Sequence, residues 1–419
     1  MSKLLALVLL VTGLALPFFF GRDTSHSPGK VTLRYLTYET GKEQQELVNS
    51  LVAEFERRNP DIHVEAEMNA KGRNKIYIEL ASGTAPDVFY AVTDDIPRMA
   101  ARGALLKLDP LVRRDGVDLA QYFPKTVAGL QYHGGLYAMP VHFSTDVLFY
   151  NKKLFDEAGV RYPDGSWTWD DYLAAARRLT RVGPDGRKVF GTYLPDPMTT
   201  ILANGGSIFS DGGRRCVIDN PRAREALQMR LDMMYRDKVA PAPVDLQDTS
   251  NMQLFESGRL AMMPGRTYMV IDFNKSIEGF EYDVAPMPGI RRKVTRLAVG
   301  GICVAASSRH QEAAWKLARF YSDARGGQRY LCTQKNCVPA ITRLAWSPKG
   351  FLQGPPHNVS VFVSSLKDAE ILAPPVVNCT EYMERIQKPA FDEILHGRLT
   401  IPQALGQVQR DGTRVLSEE

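Results

Sequence analysis

The stretch from Tyr132 to Phe155, YHGGLYAMPVHFSTDVLFYNKKLF, constrains the fold more than any other part of the chain. It opens on a turn at His133-Gly134-Gly135 and runs through a short apolar piece to Pro140. It then continues as a β-rich segment from Thr145 to Tyr150 before a helix begins at Lys152. Strand-and-helix patterns stand on both sides, so Met139 to Asp146 reads as the place where the backbone passes between two lobes. Concave sites form at such junctions because walls from both sides exclude water. A ligand is therefore expected beside it.

A chain of 419 residues needs more than one core, since single cores stop growing near about 250 to 300 residues. The formal charge of +5 is spread along the sequence with no long basic run, which argues against a nucleic-acid surface. Export is the clearest compartment signal. After Lys3, the run from Leu4 to Phe20 carries no charge and closes on Gly21-Arg22, ahead of a polar spacer containing Pro, Gly and Ser. The run is near the lower limit of about 17 apolar residues that span a bilayer. A cleaved signal peptide and a retained N-terminal membrane anchor are thus both open for residues 1–29, with the protein on the periplasmic or extracellular face of the membrane. The first cysteine is Cys216, which excludes a lipid-modified cysteine at the start of the mature chain.

Beyond the spacer, strand and helix alternate. Val31 to Leu36 reads as a strand; Leu47, Leu51, Val52 and Phe55 recur at helical spacing; Ile62 to Met68 alternates again. A second unit follows, with a helix over Asn74 to Ala81 and a buried strand over Asp87 to Ala91. Such units form an α/β layer, a mostly parallel sheet covered by helices, with ligands outside the carboxyl ends of the strands. The second lobe opens on SWTWDD, where Thr168 is placed to cap a helix with Asp170 and Asp171 in its first turn. Trp167 and Trp169 could form a ligand platform, but tryptophan beside a helix start more often packs onto the lobe, and core packing is the preferred reading. Further strands are expected over Phe190 to Leu194, Leu260 to Met263 and Ala298 to Ala305, and helices over Pro221 to Arg236, Gln311 to Tyr321, Thr380 to Ile394 and from Ile401. Crossings near Ala285 to Arg296 and at Cys337 to Ala340 divide the chain into a first lobe, 30–141 with 294–339, and a second, 142–293 with 340–419.

Several of these segments together resemble one family. ASGTAPDVFYA, YAMPVHFSTDVLFYNKKLFDEAGV, SWTWDDYLAAARRL, LFESGRLAMMPG, VGGICVAASS and CVPA, in this order and spacing, are similar to the extracellular solute-binding proteins of ABC importers. Within that family the likeness is to the maltose-binding-protein-like sugar binders, the group that also holds glycerol-phosphate and oligosaccharide binders. The resemblance covers nearly all of the chain after the export segment. It implies a two-lobed periplasmic-binding-protein fold of the type II kind, with hinge crossings and a sugar held between the lobes. It also implies a monomer whose partners are two membrane permease subunits and a cytoplasmic ATPase.

A sugar presents hydroxyls that need donors and acceptors and an apolar ring face that stacks on an aromatic side chain. Tyr38 and Glu39 follow the first strand, and Asp94 follows DVFYA, where the resemblance implies an acid that binds hydroxyls. Ser144, in the crossing stretch, matches a position where the family often has a polar ligand contact. Tyr268 and Tyr382 match or neighbour stacking positions; core packing is the alternative for both, and for Tyr382, on a helix, it stands level with the site reading. Arg266, in a Gly-rich loop, is a donor for hydroxyls or an anion; its alternative is an inter-lobe ion pair with Asp94 or Glu39. Gly300 and Gly301 would let a ligand approach the backbone, or let strands pack tightly.

Five cysteines are an odd number for an oxidising compartment, so at least one is expected free or paired between chains, and export with proximity in sequence points to a disulfide between Cys332 and Cys337. No Cys/His spacing suits a structural zinc ion, no cofactor is implied, and no phosphate-binding loop is present. Three functions compete: a binder of sugar or oligosaccharide, a binder of glycerol 3-phosphate or another anionic solute through Arg266, and an exported carbohydrate-active enzyme. The last needs two carboxyls such as Glu39 and Asp94 set about 5 to 9.5 Å apart, and the binder is the reading preferred. The expectation is a protein without enzymatic activity.

Overall fold

A computed structural model describes residues 29–38, 41–183, 186–334 and 337–418. The chain begins with β1 (Val31–Thr37), α1 (Lys42–Arg58), β2 (Ile62–Met68), α2 (Gly72–Ser82), β3 (Val88–Val92) and α3 (Ile96–Ala101). β1 pairs in parallel with β2 and with β3, as the repeated strand-helix unit requires. The periodic residues of α1 do what their spacing implies: Leu47, Leu51 and Phe55 are all buried. β4 (Ala138–Thr145) and β5 (Val147–Asn151) follow, interrupted only at Asp146.

Next come α4 (Trp169–Leu179), α5 (Pro197–Ala203), α6 (Pro221–Leu231), β6 (Met262–Gly265), α7 (Tyr268–Ser276) and β7 (Tyr282–Ala285). The chain ends with β8 (Thr295–Val304), α8 (Gln311–Ser322), β9 (Val338–Pro339), β10 (Ala369–Glu370), α9 (Lys388–Leu395) and α10 (Ile401–Ser417).

Two sheets organise the molecule. The larger has seven strands in the order β9-β4-β8-β3-β1-β2, with β10 beside β8; the smaller has the order β6-β5-β7. Sheets that are mostly parallel were expected, and this needs correction. Only the β1–β2, β1–β3 and β8–β10 pairs are parallel; β8 runs antiparallel to β3 and β4, and every pair in the smaller sheet is antiparallel. Parallel neighbours need a crossover helix. β4 and β8 instead enter the large sheet as crossing strands, so their direction is set by the other half. The passage expected over Met139 to Asp146 narrows to Asp146 itself: β4 pairs with β8 through Thr145, and β5 already belongs to the smaller sheet.

SWTWDD folds as its chemistry suggests. Thr168 N–H donates to Asp171 Oδ2 at 2.9 Å, and Asp171 N–H donates to Thr168 Oγ1 at 3.2 Å, closing a reciprocal cap on α4. Trp167 and Trp169 are buried beside Phe155 and Tyr172. The C-terminal helices pack on the second half: Phe391, Leu405 and Val408 share one cluster with Ile201 of α5 and Leu227 of α6.

Candidate functional site

The carboxyl ends of β1 and β3 point toward the start of α7, and a cavity of about 480 Å³ lies between them. Tyr90, His142, Ser144 and Gly300 contribute from the large sheet and Tyr38 from just past β1, while Arg266 follows β6 and Tyr268 and Asp272 lie on α7. Tyr38 meets Tyr90 edge-on at 5.0 Å between ring centroids, and Tyr90 stacks on His142 at 5.5 Å. On the same cavity, Tyr268 begins α7 and is 43 % exposed. An aromatic left open at the mouth of a cavity is a platform in search of an apolar face.

Five of the nine residues nominated from sequence therefore line one cavity: Tyr38, Ser144, Arg266, Tyr268 and Gly300. Of the other four, Glu39 lies outside the described residues and three stand elsewhere. Gly301 faces inward, where an added Cβ would sit 2.7 Å from Leu130 and 2.9 Å from the Met139 carbonyl, so it serves the close approach of β8 to β4. A bulge between Gly300 and Gly301 turns the two glycines to different tasks. Tyr382 is fully buried, edge-on to Phe209 and 3.6 Å from the Cys216 thiol; it belongs to the core under α10 and presents no face to a ligand.

Asp94 lines a neighbouring compartment of about 370 Å³, together with Arg73, Asp196, Arg230 and Arg296. It sits in a helical turn at the end of β3. Arg296 approaches its carboxylate at 3.6 Å, and the Cys379 thiol, from the C-terminal segment, donates to its carbonyl at 3.4 Å. Burial pushes the Asp94 carboxyl above its ordinary range, against the pull of Arg296. Asp95 plays a different part from its neighbour. It is completely buried and accepts from Arg73 at 2.7 Å and from the Tyr77 hydroxyl at 2.7 Å, locking α2 to the strand end.

Arg266 is not free to meet an anion. Its Nε donates to Asp146 Oδ1 at 2.6 Å, so the ion-pair alternative applies, with Asp146 as partner in place of Asp94 or Glu39. Thr295 clamps the same turn by donating to the Asp146 carbonyl. The two ion pairs sense each other, since Arg266 also acts on the Asp94 charge and Arg296 on Asp146. The charges of the two neighbouring compartments are thus electrostatically linked.

Sequence reading missed Tyr90, Asp272, Arg73, Asp196, Arg230 and Arg296. Tyr90 was reachable, because alternation along DVFYAV puts it on one face near the strand end. Asp196 had a signal too: Asp-Pro before an apolar run is a helix start, and its Oδ1 accepts from the Thr199 N–H at 2.9 Å. Arg230, in mid-helix, gave none. Among the described residues, no group of three or more His, Cys, Asp or Glu side chains is placed to hold a metal ion. No described helix is long and apolar enough to cross a membrane, and the run from Leu4 to Phe20 lies outside the described residues. The side chain of Cys332 also lies outside them, but Cys337, to which a disulfide was expected, is a half-buried free thiol, and Cys216, Cys303 and Cys379 are buried free thiols.

Comparison with known proteins places this architecture. The family described as "Bacterial extracellular solute-binding protein" matches residues 40–328. A maltotriose-binding protein of Pyrococcus abyssi is 22% identical over 314 residues, which cover 73% of this chain but only 65% of that protein's length. An arabinooligosaccharide-binding protein of Bacillus subtilis is 25% identical over 351 residues, covering 78% of this chain and 77% of the relative. Among solved structures, an ABC substrate-binding protein from Listeria monocytogenes in complex with cycloalternan superposes with a TM-score of 0.83 at 28% identity, covering 93% of this chain and 100% of the other. A maltose-bound protein of T. maritima shares the fold, with a TM-score of 0.77 at 24% identity over 91% of this chain and 98% of the other.

Proposed function

The chain belongs to the bacterial extracellular solute-binding protein family, and on that premise we propose that it captures an oligosaccharide between its two halves and delivers it to the permease of an ABC importer. The members compared above are binding proteins named for sugars such as maltotriose and arabinooligosaccharide, and the family is extracytoplasmic. One observation carries the reading here: an exposed aromatic, Tyr268, lines the same cavity as Tyr38 and Tyr90, whose polar lining mixes acceptors and donors. This is the mixture a sugar ring with its hydroxyls requires. We move the boundary expected at 141/142 to Asp146, assigning the first lobe to 30–145 with 294–339 and the second to 146–293 with 340–419, so that the cleft closes about Asp146 and β8. Sugar favours the closed form by its differential affinity for it. The protein acts as a monomer held at the outer face of the membrane, either free after cleavage of its leader or tethered by it. It binds its ligand without transforming it.

The anionic-solute alternative loses its main support, because the Arg266 charge is already matched by Asp146. The test titrates the purified protein with maltotriose and arabinotriose by calorimetry while the saccharides are followed chromatographically. Saturable heat with unchanged saccharide is expected; turnover would overturn the binder. In the same assay Tyr268→Ala takes away the open platform, with its stacking and its apolar surface, and is expected to weaken saccharide binding about tenfold. Unchanged affinity would remove Tyr268 from the site.

A further inference from the structure

A third cavity, of about 350 Å³, opens on the outer face of the first half, away from the cleft, between the C-terminal end of α2 and α3. Its floor is apolar, formed by Leu80 and Met99 with the ring of Tyr77 at one side. Its polar groups are of one kind. Arg98, Arg102 and Ser307 line the opening, and no acidic residue does. Neither guanidinium has a carboxylate partner among the described residues, whereas Arg34, Arg57, Arg73 and Arg114 on the same half each hold one. Arg98 lies over the Tyr77 ring at 4.8 Å, and its Nε is buried with no hydrogen-bond acceptor. Arg98 in α3 and Arg102 just past its end carry like charges at one opening and repel each other, and an oxyanion held by their remaining N–H groups would answer that repulsion.

We propose that this cavity is a second binding site, for a small amphipathic anion whose carboxylate or phosphate is held by Arg98 and Arg102 while its apolar part lies over Leu80 and Met99. The volume is in the range of small-ligand pockets, and planar guanidinium groups hold such oxyanions in a fork. Ser307 supplies a further donor at the rim. The site is independent of the sugar cleft and of what that cleft binds.

The test is calorimetric titration of the full chain with octyl phosphate below its self-association concentration, with inorganic phosphate, octanol and phosphatidylglycerol vesicles as parallel arms. One saturable site for octyl phosphate is expected, with inorganic phosphate and octanol each about tenfold weaker or more, since each offers half of the complement. Arg98→Gln and Arg102→Gln should each weaken octyl phosphate about tenfold, with circular dichroism and saccharide binding unchanged as proof of folding. The proposal is overturned by the absence of saturable heat, by equal binding in the double variant, or by binding of vesicles without the monomeric probe.

Discussion

Asp146→Ala is expected to destabilise the protein by about 3 kcal/mol, the largest effect of any single side chain discussed. Asp146 joins β4 to β5, is 9 % exposed, and takes the Arg266 Nε at 2.6 Å. Removing the carboxylate leaves a guanidinium in a largely buried place with no counter-charge. That costs more than the pair itself contributes, because the pair already bears the desolvation of both groups. Replacing both partners with apolar residues, as Asp146→Leu with Arg266→Met, should therefore cost less than the single change. Urea unfolding of these variants measures this. A loss below about 1 kcal/mol for Asp146→Ala would mean that the pair behaves as an exposed one and does not fix the hinge.

The second large effect is expected at Gly300. A Cβ there would collide with the Tyr90 hydroxyl oxygen and lie 2.6 Å from His142 Cε1, and both rings line the cleft. Gly300→Ala should displace Tyr90 and His142 into the space left for ligand, and lower saccharide affinity between about tenfold and about a hundredfold. Gly301→Ala is the contrast. Its Cβ would meet Leu130 and the Met139 carbonyl inside the sheet, so it should lower stability by about 1 to 3 kcal/mol with a smaller effect on affinity. Calorimetry and unfolding on the two variants separate the roles; equal loss of affinity in both would show that Gly300 acts only through the fold.

The adjacency of these glycines shows what the sequence could convey. VGGICVA was legible as a strand with close backbone approach, but which glycine lined the cavity depended on the bulge, a feature of β8 paired with β4. The same limit explains strand direction. The repeated unit from Val31 to Ala91 announced its parallel pairs by local periodicity, whereas the antiparallel entry of β4 and β8 is decided by partners far along the chain. Tyr38, Ser144, Arg266, Tyr268 and Gly300 were placed together by strand ends and by family resemblance. Tyr382 was misplaced because an aromatic on an amphipathic helix looks the same whether it faces a ligand or Cys216 and Gly412. Arg266 was recognised as a donor, but the partner that neutralises it, Asp146, lies at the crossing and carried no signal of its own.

Closure of the two halves over an unaltered saccharide is tested most directly at Cys379. This thiol comes from the C-terminal segment, is fully buried, and reaches across to the Asp94 carbonyl at 3.4 Å, so it should be covered only while the halves are together. Alkylation followed by peptide mapping, with and without a saturating oligosaccharide, reads that coverage. Rapid labelling of Cys379 in the free protein and slow labelling in the bound one, with the saccharide recovered intact, is the predicted result. Equal labelling in both, at a saccharide concentration that calorimetry shows to be saturating, would contradict a clamp that closes on its ligand.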